Sequence, residues 1–309
     1  MVMNFARENA AAQVPGGIPG NLVSSSITQQ IVTSDGIAHP VRFWAAQAGA
    51  PIAVYLHGIE GHSQWFEDTA VALNKQDIAV YAPDRRGAGL SSQPAGDIGS
   101  YTRLVDDIGE IVQEIIRRHP GSPIFLIGNC WGGKVALTLA GSDQGKQIKG
   151  LILTSPAVAT QVDVTFGTKL KIALSYLLGG RSYFDIPLTP EHFTDNPPYL
   201  EYVASDPLRL KRATARFFVQ SLILTAACKR ASLRLKVPVL VLQSGRDAIV
   251  HLKRLEGWFS TIGSADKTLK IFTSAAHSLD FEANPTEYQM LLASWINTRA
   301  SQPLHRAGT

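Results

Sequence analysis

The sequence predicts an α/β protein, a mostly parallel sheet covered by helices on both faces with a helical segment inserted into its connections. Short apolar runs at 52–56, 78–82, 124–127, 151–153 and 237–243 have the pattern of strands buried on both faces. Stretches with helical spacing separate them, most clearly at 101–119, where Leu104, Ile108, Ile111 and Ile115 fall on one face. Strands alternating with helices imply parallel pairing through helical crossovers. Between about 157 and 235 the alternation stops.

In chain order, residues 1–26, with Pro15, Gly16, Gly17, Pro19 and Gly20 followed by Ser24 to Ser26, lack periodicity and read as a flexible lead-in. Residues 27–33 and 41–46 read as an antiparallel hairpin across Ser34-Asp35-Gly36. The strand at 52–56 ends at His57-Gly58-Ile59-Glu60-Gly61, and a helix is expected over 65–75. The strand at 78–82 closes on the glycine-punctuated loop Asp84-Arg85-Arg86-Gly87-Ala88-Gly89-Leu90-Ser91. Pro120-Gly121 ends the helix at 101–119.

Within 157–236, apolar helical runs at 170–178 and 217–227 flank a middle broken by Pro187, Pro190, Pro197 and Pro198, so this segment reads as a helical lid. The strand at 237–243 leads to Gly245-Arg246-Asp247. A helix over 252–262, a strand over 268–273, the loop Ala275-Ala276-His277-Ser278 and a helix over 285–296 complete the chain. The core is thus expected over 27–156 and 237–300.

At 309 residues, with 45% hydrophobic and 17% charged residues, the chain has the composition of an ordinary globular protein, which excludes disorder over most of its length. Its two cysteines, Cys130 and Cys228, exclude a disulfide scaffold and point to a reducing compartment. The N-terminus shows no secretory pattern and no stretch has 18 uncharged apolar residues, so a cytoplasmic protein with at most peripheral membrane contact is expected.

The formal charge is +4, and residues 157–236 hold eleven Lys or Arg against six acids, so the excess sits in this segment. A basic surface suits an acyl carrier protein, a coenzyme A thioester or a lipid headgroup. The alternative is a solvated helix face with incidental charge. No nucleic-acid partner, cofactor or metal is expected.

The chemistry centres on Ile124-Phe125-Leu126-Ile127-Gly128-Asn129-Cys130-Trp131-Gly132-Gly133, an apolar strand running through Gly-x-Cys-x-Gly-Gly into a helix at 134–140. This is the pattern of a nucleophile elbow, with cysteine where serine is usual. The turn is strained and crowded, which gives Gly128, Gly132 and Gly133 a steric reason to be there. A thiol at its tip meets backbone N–H groups at a helix N-terminus, where the dipole favours thiolate. The alternative is a buried structural cysteine.

A thiol nucleophile needs a base and a group that orients the base. Cys130, Asp247 and His277 follow in the order nucleophile, acid, histidine, each just past an expected strand, where such sheets bind ligands. Asp280 and Glu282 are rivals for the acid. Asp280, three residues from His277, has difficulty reaching the far ring nitrogen while the near one faces the thiol, so Asp247 is preferred. The oxyanion donors are expected to be the N–H groups of Ile59 and Trp131. His57 and His62 read as structural, the loop at 84–91 as support for the rim, and Cys228 as packed within the lid.

These motifs, over about residues 27 to 300, resemble the α/β-hydrolases of the monoacylglycerol lipase and lysophospholipase group. The resemblance rests on His57-Gly58, Asp84 to Ser91, the elbow, Gly245-Arg246-Asp247, and Lys267-Thr268-Leu269-Lys270-Ile271-Phe272 leading to His277. It implies an eight-stranded α/β-hydrolase sheet and a lid that shapes an acyl-binding channel. Cys130 departs from that group, which uses serine, and is similar in this to dienelactone hydrolases and polyhydroxyalkanoate synthases.

Three activities follow. The first is hydrolysis of a lipophilic ester or thioester through an acyl-cysteine. The second passes the acyl group from a carrier or coenzyme A thioester to an acceptor other than water. The third is a catalytically retired fold that binds a lipid or partner, against which the retention of Cys130, Asp247 and His277 argues.

Overall fold

The computed structural model describes residues 26–302, so almost all of the expected lead-in, residues 1–26, lies outside them. In chain order the strands are β1 (Ile27–Val32), β2 (Ala38–Trp44), β3 (Ile52–Leu56), β4 (Ala79–Pro83), β5 (Ile124–Asn129), β6 (Ile148–Thr154), β7 (Tyr183–Asp185), β8 (Arg212–Thr214), β9 (Val239–Ser244) and β10 (Lys267–Phe272). The α-helices are α1 (Glu67–Asn74), α2 (Tyr101–Arg118), α3 (Gly132–Ala140), α4 (Phe166–Leu177), α5 (Pro197–Ser205), α6 (Ala215–Ser232), α7 (Leu252–Ser260) and α8 (Thr286–Ala300).

Eight strands form one sheet in the order β1-β2-β4-β3-β5-β6-β9-β10. The β1–β2 hairpin and the β2–β4 pairing are antiparallel, and every later pair is parallel. Every residue of β3, β4, β6 and β9 is buried, in keeping with their mostly apolar sequences, and Lys149, Thr154, Gln243 and Ser244 are buried with them. Successive side chains point to opposite faces. Val54, Leu56 and Leu126 therefore pack with α2 and α3, whereas Ala53, Tyr55, Phe125 and Ile127 pack with α1 and α8. From β3 the chain crosses first to β4 on one side and then to β5 on the other, which opens a crevice beyond the carboxyl ends of β3 and β5.

The segment between β6 and β9 differs from the expected all-helical form. It holds α4, α5 and α6, but β7 and β8 also pair antiparallel as a separate two-stranded sheet. Pro197 and Pro198, read from sequence as breakers, instead begin α5. In the first turn a proline forfeits an N–H that has no intrahelical partner in any case. Strand β2 starts at Ala38, three residues before the expected 41, and carries the fully buried His39, a residue without an apolar signal.

His39 belongs to a buried ionic cluster that fastens the hairpin to α2. Both oxygens of Asp107 accept from Arg86, at 2.8 Å each; Arg103 Nε donates to Oδ1 at 2.8 Å, and His39 Nε2 lies 3.6 Å away. Burial opposes ionisation of Asp107, but the hydrogen bonds from Arg86 and His39 and their charges outweigh it and hold the carboxyl well below its ordinary range. Asp107→Ala leaves Arg86 and Arg103 without that partner and is expected to cost about 3–5 kcal/mol. The readout is a lower urea midpoint at unchanged slope; a loss under about 1 kcal/mol would show the cluster to be dispensable.

Candidate active site

Strand β5 ends at Asn129, and Cys130 turns the chain into α3 with a φ of +48°. That left-handed conformation costs a residue with a Cβ about 1–3 kcal/mol, so its surroundings must impose it. The Cys130 N–H donates to the Thr154 carbonyl at 2.9 Å, and the Cys130 carbonyl accepts from Gly133 at 3.1 Å and Ala157 at 2.9 Å. A Cβ on Gly128 would stand 2.7 Å from the Gly133 Cα and 2.8 Å from the Ala136 Cβ. One on Gly132 would overlap the carbonyl oxygens of Leu56 and His57, so the start of α3 sits tight against the end of β3.

Asp247 and His277 reach the same place from the loops after β9 and β10. His277 Nδ1 lies 2.8 Å and 2.9 Å from the two oxygens of Asp247. The carboxylate is fixed by the Ile249 and Val250 N–H groups on Oδ1 and by Gln243 Nε2 on Oδ2, all at 2.8 Å. With Nδ1 donating to Asp247, Nε2 is on the opposite side of the ring, where it is buried and interacts with the Cys130 sulfur. Burial opposes protonation of the ring, but the Asp247 charge, the Cys130 sulfur and the hydrogen bond to Asp247 outweigh it and raise the His277 pKa to about 10.

Asp280 does not touch the ring. It accepts from Thr69 Oγ1 at 2.6 Å and, weakly, from Asn129 Nδ2 at 3.4 Å, and burial raises its pKa to about 7. Glu282 accepts from the Ala276 N–H at 2.7 Å. Cys228 is buried on α6, its Sγ donating to the Thr225 carbonyl at 3.2 Å, and burial pushes its thiol up to about 11.

Trp131 follows Cys130 in the elbow, Ile59 follows Gly58, which lies against Cys130, and the N–H of each lacks a hydrogen-bond partner among the described residues. The loop carrying Ile59 is fixed by His57. The Arg85 N–H donates to His57 Nε2 at 3.2 Å, so Nδ1 carries the ring hydrogen and donates to the Gly58 carbonyl at 2.9 Å. Burial and the Arg85 charge lower the His57 pKa to about 3, which keeps this ring neutral. In a planar trans peptide the C=O and N–H point opposite ways, so holding the Gly58 carbonyl on His57 directs the Ile59 N–H to the other side.

Other contacts of the site have no signature in the sequence. The Ile59 loop is tied to the segment between β6 and β9 through Glu60, which accepts from Arg209 Nε at 2.6 Å and whose carbonyl accepts from the Leu210 N–H at 2.9 Å. His62 Nε2 lies 2.8 Å from Asp206 Oδ2, which also accepts from Trp65 Nε1 at 2.6 Å. Gly58, Trp65, Asn129, Phe193 and Phe281 line a narrow cavity against Cys130. Among the described residues no group of three or more His, Cys, Asp or Glu is placed to hold a metal ion, and no helix is long and apolar enough to cross a membrane.

Comparison with known proteins agrees with this architecture. Residues 49–284 match the family described as "Serine aminopeptidase, S33". Human monoglyceride lipase is 30% identical over 288 residues, which are 90% of this chain and 92% of that protein. Phospholipase YtpA of Bacillus subtilis (strain 168) is 24% identical over 239 residues, 76% of this chain and 92% of that one. The solved structure of a soluble variant of monoglyceride lipase from Saccharomyces cerevisiae superposes with a TM-score of 0.81 at 20% identity, covering 94% of this chain and 99% of that one. The sheet and its helices therefore form the α/β-hydrolase fold.

Proposed function

The chain belongs to the serine aminopeptidase S33 family of α/β-hydrolases, and on that premise we propose that it is an acyl hydrolase working through an acyl-cysteine on Cys130. The observation that carries this reading is the single ring of His277, oriented by Asp247 on one nitrogen and facing Cys130 with the other, beside two unpaired N–H groups. The family description specifies serine, and sulfur at this position favours thioesters or activated esters beside ordinary glycerides.

In the first half-reaction the proton of Cys130 rests on His277, whose raised pKa lets the ring hold it, and the sulfur attacks the acyl carbon. A C–S bond forms, and the carbonyl oxygen gathers negative charge facing the N–H groups of Ile59 and Trp131. The bond to the leaving alcohol or thiol then breaks, and His277 hands that group its proton. Acylation ties up the sulfur, so its contribution to the raised His277 pKa disappears, the pKa falls and more of the ring is unprotonated near neutral pH. It can then deprotonate the water that attacks the acyl-cysteine, releasing the free acid and restoring the thiol.

Residues 157–236 serve in this reading as a lid over a lipophilic acyl group. Phe166, Leu170, Leu174 and Leu177 on α4 are 59–84% exposed, an apolar face suited to a lipid surface or chain. The relatives act, by their names, on monoglycerides and phospholipids, which points to the same substrate class. Hydrolysis is preferred to transfer from an anionic carrier because several of the segment's cations are already paired. Arg209 and Arg216 engage Glu60 and Asp97 of the sheet domain, and Lys169 and Arg212 engage Asp163 and Asp185.

Incubation with p-nitrophenyl esters and acyl-coenzyme A thioesters of graded length tests this, with products and intact protein mass followed together. Hydrolysis gives free acid and a transient adduct on the Cys130 peptide. An adduct that persists until an amine or alcohol is added would establish transfer instead, and neither acid nor adduct with any substrate would overturn the enzyme reading.

A further inference from the structure

We propose that Arg85 is a positioning residue that holds the two oxyanion-donor segments in register, an assignment that rests on the acyl-transfer reading of Cys130. Arg85 follows β4 and is only 4% exposed. Its Nη2 donates to the Ile59 carbonyl at 2.6 Å, and its Nη1 to the Arg86 carbonyl at 3.3 Å. The same guanidinium lies over the Trp131 ring, 4.9 Å from its centroid, and 5.5 Å from that of Phe217. One side chain thus touches both residues expected to supply the oxyanion N–H groups.

The contacts on the far side complete the clamp. Trp131 stacks on Phe217 with centroids 5.4 Å apart, and its Nε1 donates to Ser221 Oγ at 2.7 Å. The Arg85 N–H meets His57, which fixes the Gly58 carbonyl, so two successive carbonyls of the Ile59 loop are held from one residue and its neighbour.

A purely structural arginine at this depth would be expected to have an acidic partner. Arg85 has no carboxylate at ion-pair distance among the described residues, and its buried Nε is unpaired. The neighbouring Asp84 carboxylate accepts instead from the Ser63 and Leu90 N–H groups, at 2.7 Å and 2.8 Å. The Asp84 charge offsets the burial of the guanidinium only in part, and what Arg85 contributes in return is the placement of Ile59 and Trp131.

Arg85→Met and Arg85→Lys separate this role from general support, with acylation by a short p-nitrophenyl ester read beside alkylation of Cys130 by iodoacetamide. Acylation develops an oxyanion and alkylation does not. Arg85→Met is expected to slow acylation by about 100- to 1000-fold, the scale of losing one oxyanion donor, with alkylation and KM within about twofold of wild type. Arg85→Lys should fall between, since an ammonium can reach the Ile59 carbonyl but cannot stack as a plane on Trp131. Acylation of Arg85→Met within about threefold of wild type, or acylation and alkylation falling together, overturns the proposal. If Arg85→Met does not fold, an Arg85→Lys protein that acylates at the wild-type rate overturns it equally. A wild-type protein that is alkylated but never acylated overturns the acyl-transfer reading and this role with it, whereas normal wild-type acylation confines any failure to Arg85.

Discussion

Cys130→Ala is expected to lower ester or thioester turnover by at least about 10⁴-fold, leaving what binding and the oxyanion donors supply alone. The change removes one atom from a residue with 3% exposure and leaves the Cβ at a φ of +48°, so backbone strain at the elbow is the same in both proteins. Circular dichroism and the melting midpoint should therefore be close to wild type while activity disappears. Turnover above about a tenth of wild type would remove Cys130 from the chemistry. Cys130→Ser is the informative companion. Its hydroxyl does not supply the interaction by which the sulfur helps raise the His277 pKa, so the ring should titrate lower and the activity fall between wild type and alanine.

Asp247→Asn is expected to cost about 10⁴-fold in kcat with KM little changed, because an amide no longer fixes Nδ1 as the protonated nitrogen. It also weakens a pH effect that can be read without substrate. In the wild type burial opposes protonation of His277, and the Asp247 and Cys130 contributions override it and raise the pKa from 6.5 to about 10. The folded ring holds its proton more tightly than the unfolded one. This contribution to stability is therefore fully present below about pH 6.5 and is lost as pH rises towards about 10. The Asp247 carboxyl is depressed, against burial, by His277 and the backbone N–H groups, so the same pair weakens again in acid as pH falls through its folded value. Without the carboxylate only the Cys130 contribution opposes burial, so the ring of the variant should titrate well below 10 and its stability should decline less between pH 7 and 10. Histidine proton shifts and urea midpoints across that range check both; an unchanged pH profile would mean that Asp247 does not govern His277.

Much of this protein was readable from residues alone, for identifiable reasons. The central strands are buried on both sides, so β3 and β9 announce themselves as mostly apolar runs. Cys130 and Asp247 each follow such a strand, and His277 follows the partly exposed β10, which is how local pattern brings distant residues together. The region from 157 to 236 was less legible because β7 and β8 are three residues each, too short for periodicity, and because Pro197-Pro198 is equally at home ending or starting a helix. Arg85 is legible in the sequence only as part of a loop that supports the rim, and Asp206 and Arg209 carry no signal. Their meaning lies in partners between 26 and 149 positions away, and an arginine beside an arginine reads as surface charge until burial is known.

The enclosure of Cys130 also bears on how long the protein stays usable. A reactive sulfur, unlike a serine oxygen, is open to peroxide, first reversibly to a sulfenic acid and then beyond recovery. At 3% exposure, in a cavity also lined by Gly58, Trp65 and Phe193, Cys130 presents little surface to dissolved oxidants. On the acyl-cysteine reading, an acylated sulfur would be closed to that oxidation while it waits for water.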